Sequence, residues 1–191
     1  MSADPDLETQ IRAAVEARDL TVAATIAVRG YGPSVLGYLR TVLGDSDGDE
    51  AFAIYCESLW KGLPGFRGES AFRTWSYKLA WGAVQRLRNE PQRRRNCRLE
   101  SEQLESVVQE VRSTTPVHLR AETAAHVQRI REQLTADEQT LLILRVDRDL
   151  PWAEVADVLE TNEATLRKRF ERTRDKLREL ARAAGLLPDP A

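Results

Sequence analysis

A predicted helix near the end of the chain carries a small, a basic and an acidic residue on one face, with arginines beside them. Ala164, Lys168 and Glu171 share this face at about 100° of rotation per residue. A small side chain lets a helix approach base edges, lysine can donate to guanine, and glutamate can accept from cytosine. Flanking arginines suit phosphate oxygens. The predicted set for contact with duplex DNA is Ala164, Thr165, Arg167, Lys168, Glu171, Arg172 and Arg174.

A short helix and a tight turn before this helix are predicted to hold the face in place. Pro151 suits the start of the first helix, which then carries an apolar stripe of Trp152, Val155, Ala156 and Leu159. On the second helix, Leu166 and Phe170 are expected to turn inward, which leaves Lys168 facing outward. This arrangement is the helix-turn-helix. The alternative is an amphipathic helix with an ordinary solvated charged face.

The net charge of −2 over 191 residues conceals a division into basic and acidic blocks. Residues 86–98 carry six arginines and one acid, and residues 162–182 carry eight basic side chains against four acidic ones. Residues 41–60 hold five acids. The basic blocks can face phosphate groups while the acidic block meets a protein.

The composition is that of a globular protein, with 42% hydrophobic and 30% charged residues. No apolar run approaches the roughly 20 residues needed to cross a bilayer, so no membrane insertion is expected. The start of the chain, MSADPDLETQ, is unlike a secretory or mitochondrial leader, and a cytoplasmic protein is the simplest interpretation. Cys56 and Cys97 are interpreted as free thiols, with a disulfide between them as the alternative.

Strand signals are nearly absent, and the chain is predicted to be all-α, with two small helical domains joined by an acidic linker. The predicted divisions are an N-terminal helix at 1–26, a first domain at 27–95, a linker at 96–120, a second domain at 121–184 and a tail at 185–191.

Glycine, proline and capping residues set the helix boundaries in the first half. Gly30, Gly32 and Pro33 are expected to end a first helix, and residues 44–49 to form a turn with capping oxygens. The helices are predicted over residues 7–28, 35–43, 50–61 and 70–89. Helical spacing also predicts a short amphipathic helix within the linker, with Leu104, Val107, Val108 and Val111 on its apolar face.

No group of residues has the pattern of a catalytic or metal site. His118 and His126 are eight residues apart with no cysteine nearby, which does not fit metal-ligand spacing. Neither a Ser-His-Asp order nor a glycine-rich phosphate loop occurs. The sequence therefore predicts no cofactor, no metal and no catalytic residue.

Three stretches of the chain are similar to a known family. Residues 134–178, which begin LTADEQTLLILR, resemble the promoter-binding C-terminal domain of the sigma-70 family. Residues 31–40 (YGPSVLGYLR) and 63–75 (LPGFRGESAFRTW) resemble the first domain of the same family. Over most of residues 27–180, the chain is most similar to the small, two-domain extracytoplasmic-function (ECF) sigma factors.

The resemblance implies an alternative sigma factor, a non-catalytic subunit that directs RNA polymerase to promoters. The first domain (sigma region 2) would bind the polymerase and the melted −10 element. The helix-turn-helix domain (sigma region 4) would bind the duplex −35 element, and the linker would thread into the polymerase. The implied partners are core RNA polymerase, promoter DNA and an anti-sigma factor that clamps the two domains.

Melted DNA requires aromatic surfaces for its exposed bases and cations for its backbone. The predicted set for the melted element is Phe66, Arg67, Gly68, Ser70, Arg73, Tyr77 and Arg86. Phe72 and Trp75 have the spacing of a helix core and are expected to be buried. The loop over residues 65–70, with Phe66, is therefore the better candidate for holding an unstacked base.

The resemblance also implies polymerase contact by the acidic helix, where the predicted set is Asp49, Glu50, Ile54 and Glu57. Relatives commonly have Asp-x-x-Gln-Glu on this helix, but this chain has Ala53 and Ile54 at the last two positions. They also carry an asparagine and an aspartate four residues apart where this chain has Gly82 and Arg86.

These departures keep two alternatives open. The first is a sigma-derived DNA-binding regulator with weakened or altered polymerase binding, and the second is a helical protein-interaction module. A further departure concerns the helix-turn-helix turn, where Glu160 stands at the usual glycine position. A non-glycine residue at positive φ costs about 1 kcal/mol, which favours a differently built turn.

Overall fold

The computed structural model describes residues 5–89, 102–114, 130 and 132–186. These residues form helices and connecting segments without a β-strand among them, which confirms the all-α prediction. The chain divides into two compact units, Met1–Pro116 and Val117–Ala191. Within the described ranges, no helix has the length and apolar character that a membrane crossing requires.

The described part of the first unit is built around one long helix. Its elements are α1 (Pro5–Glu16), α2 (Leu20–Leu43), α3 (Asp45–Gly62), a 3-10 turn (Leu63–Gly65), α4 (Phe72–Asn89) and α5 (Glu102–Thr114). The other four helices all pack against α2. A buried hydrogen bond of 2.7 Å between the hydroxyls of Tyr55 and Ser76 joins α3 to α4. Because burial raises the pKa of Tyr55 far above its ordinary value, its hydroxyl stays protonated.

The predicted helix over residues 7–28 is two helices in the structure. The backbone turns at Arg18, which has a φ of 58°. Asp19 then caps α2, and its carboxylate accepts a hydrogen bond of 3.1 Å from the backbone N–H of Val22. The expected division between residues 26 and 27 consequently falls inside α2.

Gly30, Gly32 and Pro33 do not end a helix, because α2 continues through all three. The glycines allow close packing by neighbouring helices. A Cβ on Gly30 would lie 2.5 Å from a methyl carbon of Leu7 in α1, and a Cβ on Gly32 would lie 3.3 Å from Val111 in α5. Tertiary packing therefore outweighs the cost of proline and glycine within a helix.

Helix α3 begins at Asp45 rather than at the predicted residue 50, so most of the predicted turn is helical. Gly44, with a φ of 83°, alone separates α2 from α3. Asp45 and Asp47 lie in the first turn of α3, where negative charge favours the helix dipole. Gly48 lets the two helices approach closely, since a Cβ there would lie 2.7 Å from the Cα of Arg40.

The amphipathic helix predicted within the linker is confirmed as α5, and it packs against α2 in the first unit. Its four predicted apolar residues, Leu104, Val107, Val108 and Val111, are all buried. Two arginines attach its end: Arg29 of α2 pairs with Glu110 at 3.2 Å, and Arg112 donates to the backbone carbonyl of Asp49 at 2.6 Å. Residues 102–114 are therefore part of the first unit's packed structure.

The described part of the second unit consists of α6 (Ala136–Leu142), a π-helical turn (Ile143–Asp147), α7 (Trp152–Val158) and α8 (Glu163–Ala183). A capping box starts α6, in which Thr135 and Glu138 each accept a hydrogen bond from the other's backbone N–H. Glu138 also pairs with Lys176 of α8 at 2.9 Å, which fixes α8 to α6.

Several predicted features lie outside the described residues. These are the basic run from Arg93 to Arg95, Cys97, both histidines (His118 and His126), the start of the second domain at residue 121 and the tail from residue 187.

Candidate nucleic-acid interface

Helix α8 turns one face into the second unit and the other outward, as predicted. Leu166 is fully buried and Phe170 is partly buried against Trp152, with ring centroids 5.4 Å apart. On the opposite side, Lys168 is exposed. Most of the predicted duplex-contact set is exposed as well, namely Ala164, Arg167, Glu171, Arg172 and Arg174, while Thr165 is partly buried. The structure therefore brings the predicted residues together on one accessible helix face.

The turn between α7 and α8 is of the usual helix-turn-helix kind despite its lack of glycine. Glu160 has a φ of 50°, so a differently built turn, the expectation from the sequence, is wrong. Asn162 caps α8, and its side-chain oxygen accepts a hydrogen bond of 2.9 Å from the backbone N–H of Thr165. Val155 and Val158 of α7 are fully buried. The pairing of helices holds the turn in a conformation that costs about 1 kcal/mol.

Two arginines lie against the Trp152 ring. The guanidinium carbons of Arg145 and Arg167 are 5.3 and 4.9 Å from its centroid. Arg167 also pairs with Glu163 at 2.8 Å, and Arg145 donates to the backbone carbonyl of Leu150 at 3.3 Å. Cation–π contact orients Arg167 at the edge of the α8 face. The sequence interpretation missed Arg145, which lies within the π-helical turn (Ile143–Asp147) before α7.

The loop over residues 66–71 carries four of the residues predicted to contact melted DNA. Phe66 is partly exposed and packs on Phe72 and Trp75, with centroids 5.1 and 5.0 Å away. Arg67 is well exposed, and Gly68 has a φ of 69°. The prediction of burial is confirmed for Phe72, whereas Trp75 is only partly buried. The loop therefore presents one aromatic ring, supported from below, next to an exposed cation; Ser70 follows, partly buried.

Two of the residues predicted to contact melted DNA are buried in the core of the first unit. Tyr77 is 2% exposed, and its hydroxyl shares a hydrogen bond of 2.9 Å with that of Ser34. Arg73 is 8% exposed. In this conformation neither side chain is available to a nucleic acid, because the helical spacing that places them on α4 also turns them toward its neighbours.

Arg86 lies farther along α4 and is exposed. Its guanidinium is 3.8 Å from the Glu57 carboxylate, which also pairs with Lys61 at 2.6 Å. Gly82, one turn earlier, is exposed, and a Cβ added there would meet nothing within 4 Å. Gly82 and Arg86, which replace the asparagine and aspartate of relatives, therefore leave open space on α4 beside an arginine that already pairs with Glu57.

The residues predicted to bind the polymerase divide into accessible and buried positions. Asp49, Glu50 and Glu57 are partly exposed, but Ile54 is 7% exposed and belongs to the core of the first unit. Asp49 also accepts a hydrogen bond of 2.7 Å from Arg40. The described residues contain no cluster of three or more histidine, cysteine or acidic side chains that could hold a metal ion.

Comparison with known families identifies both units. The Sigma-70 region 2 model matches residues 27–95, and the Sigma-70, region 4 model matches residues 126–177. The chain belongs to the sigma-70 family. Its build from these two regions agrees with the ECF group of sigma factors. It is similar to RNA polymerase sigma-H factor from Pseudomonas aeruginosa, with 29% identity over 163 residues that cover 78% of this chain and 84% of the relative.

The matches divide the sites of this sigma factor between its regions. The region 4 match includes α6, α7 and most of α8, and therefore the whole predicted duplex-contact face. The region 2 match begins inside α2 and includes the loop over residues 66–71. Helices α1 and α5 lie outside both matches, although each packs on α2.

Proposed function

We propose that this sigma factor reads the duplex −35 element with the exposed face of α8. Lys168 and Glu171 would contact base edges, with Ala164 allowing the close approach. Phosphate contacts would come from Thr165, Arg167, Arg172 and Arg174. The observation that carries the proposal is the burial of Leu166 two residues from the exposed Lys168.

The melted −10 element would bind at the loop over residues 66–71. An exposed base would stack on Phe66, Gly68 and Ser70 would leave room for it, and Arg67 would contact the backbone. Arg86 would add a cation on α4 once DNA displaces its long contact with Glu57. The burial of Arg73 and Tyr77 favours a supporting role for these two residues.

Three acidic residues of α3, Asp49, Glu50 and Glu57, would contact core RNA polymerase. The burial of Ile54 supports an interface made by the charged residues around it. The protein would contribute no catalytic residue of its own and would act in the cytoplasm, where promoter DNA and polymerase meet. An anti-sigma factor that covers the basic face of α8 would regulate it.

Run-off transcription with core RNA polymerase tests the proposal. The template is a promoter mapped from transcripts that rise when the chain is overproduced. We expect specific initiation with the wild-type protein and a large loss with Lys168→Ala. Absence of stimulation by the wild-type protein would defeat the proposal. Stable duplex binding without co-purification of polymerase would instead favour the sigma-derived regulator.

A further inference from the structure

One carboxylate on α1 connects three helices of the first unit. Glu8 accepts hydrogen bonds from the backbone N–H of Phe72 at 2.7 Å and that of Arg73 at 2.9 Å, which are the first two residues of α4. It also accepts one from the Tyr31 hydroxyl of α2 at 2.6 Å. Charge-assisted bonds of this length are among the stronger ones in proteins.

Packing around Glu8 fixes α1 in place. The Leu7 side chain lies against Gly30, where a Cβ would come within 2.5 Å of it, and Ile11 is fully buried. One turn after Glu8, the exposed Arg12 lies beside the loop, with its guanidinium nitrogen 3.5 Å from the position of a Cβ on Gly68. Helix α1 therefore lines both the loop and the start of α4.

A chain of contacts connects these hydrogen bonds to Phe66. Phe66 rests on Phe72, and Phe72 is the residue whose backbone N–H binds Glu8. Phe72 in turn stacks on Tyr31, with centroids 6.0 Å apart. The Phe66 ring is thus linked through Phe72 to a carboxylate that lies outside the matched region 2.

We propose that Glu8 is a positioning residue for promoter melting. It holds the start of α4, and through Phe72 the Phe66 ring, in the geometry that receives an unstacked base. This inference rests on the proposed role of the loop over residues 66–71. Glu8 itself does not touch DNA, so its loss should act on strand opening and leave the earlier binding steps unchanged.

The test compares holoenzymes assembled from core RNA polymerase and full-length chain carrying Glu8→Ala, Glu8→Gln or Glu16→Ala. Glu16 is an exposed acid at the end of α1, so Glu16→Ala is a control for the lost charge. Three quantities are measured: binding to core polymerase, binding to upstream duplex, and opening at the mapped promoter by permanganate reactivity of thymines.

We expect Glu8→Ala to lower opening by about tenfold, the effect of losing roughly one net charge-assisted hydrogen bond. Core binding and duplex binding should stay near wild type, whereas the midpoint of thermal unfolding should fall by a few degrees, because the start of α4 loses the acceptor that caps it. Glu8→Gln keeps one acceptor oxygen and should fall between wild type and Glu8→Ala, whereas Glu16→Ala should open normally.

Tyr31→Phe provides a second variant that retains the ring packed on Phe72 and removes only the hydroxyl. A smaller loss of opening, in the same step, is expected. Equal opening by wild type and Glu8→Ala would overturn the inference, as would a loss of opening matched by an equal loss of core binding. Failure of the wild-type holoenzyme to open any promoter would instead count against the proposed function.

Discussion

The two candidate DNA surfaces of this sigma factor are held in different ways. The duplex-contact face belongs to one regular helix, and the burial of Leu166 and the exposure of Lys168 follow from their spacing on α8. The Phe66 loop is irregular, and its ring packs on Phe72, whose backbone N–H binds the Glu8 carboxylate 64 residues earlier in the chain. A helical surface can therefore be predicted from local periodicity, whereas a loop surface requires the tertiary structure.

The largest expected effect separates the inward and outward sides of α8. Leu166→Ala should lower the free energy of unfolding of the second unit by about 3 kcal/mol, because it leaves a cavity at a fully buried position. Lys168→Ala, two residues later, should change it by less than about 0.5 kcal/mol. Chemical denaturation of the full-length chain measures both. Equal costs for the two variants would contradict the assigned orientation of α8.

A smaller effect is expected from the flanking arginines. Arg172→Ala should weaken duplex binding by about 1 kcal/mol on all sequences and reduce the slope of log affinity against log salt by about 1, since one phosphate contact is lost. Fluorescence anisotropy at several salt concentrations gives both values. Arg178→Ala is the control, because Arg178 pairs with Asp175 nearer the end of α8. An unchanged slope with Arg172→Ala would remove Arg172 from the interface.

Two substitutions at positions of positive φ, one near each candidate DNA surface, should change stability in opposite directions. Glu160 and Gly68 both have positive φ, at 50° and 69°. Glu160→Gly should raise the free energy of unfolding by up to about 1 kcal/mol, and Gly68→Ala should lower it by a similar amount. Space is not limiting at Gly68, where a Cβ would lie 3.5 Å from its nearest neighbour, Arg12. Thermal unfolding of both variants checks the signs, and equal signs would contradict the strain argument.

The smallest expected effect concerns acid stability of the second unit. Burial of Glu138 raises the pKa of its carboxyl, but hydrogen bonds from Lys176 and Thr135 outweigh this effect and leave the pKa below its ordinary value. A carboxyl whose pKa is lower in the folded state stabilises the fold at pH values above its unfolded-state pKa. This stabilisation is lost as the pH falls through the folded-state pKa. For a partly exposed pair this is under about 1 kcal/mol. Between pH 6 and pH 3, the unfolding midpoint of Glu138→Gln should fall slightly less steeply with pH than that of the wild type. An identical pH dependence in the two proteins would contradict the pairing.

The sequence predicted the fold class, the helix-turn-helix and the outward face of α8 because each follows from local residue spacing. It misplaced the helix boundaries in the first unit because glycines that usually end a helix, such as Gly30 and Gly32, here allow close helix packing. It also placed Tyr77 and Arg73 on the surface, although the packing of α4 buries them.

The Glu8 and Arg145 contacts could not be predicted from the sequence, for a physical reason. Glu8 caps a helix that begins 64 residues later in the chain, and no local pattern indicates a hydrogen bond over that distance. Likewise, Arg145 contacts Trp152 from a π-helical turn between α6 and α7, which no local pattern indicates.

The most direct test is the selection of preferred duplexes from a random pool by wild-type protein, Lys168→Ala and Arg172→Ala. If Lys168 contacts a base edge, Lys168→Ala should relax the preference at one or two adjacent base pairs by about 1–3 kcal/mol. Arg172→Ala should retain the wild-type preferred sequence with lower affinity. An unchanged preferred sequence with Lys168→Ala would contradict promoter reading by the outward face of α8.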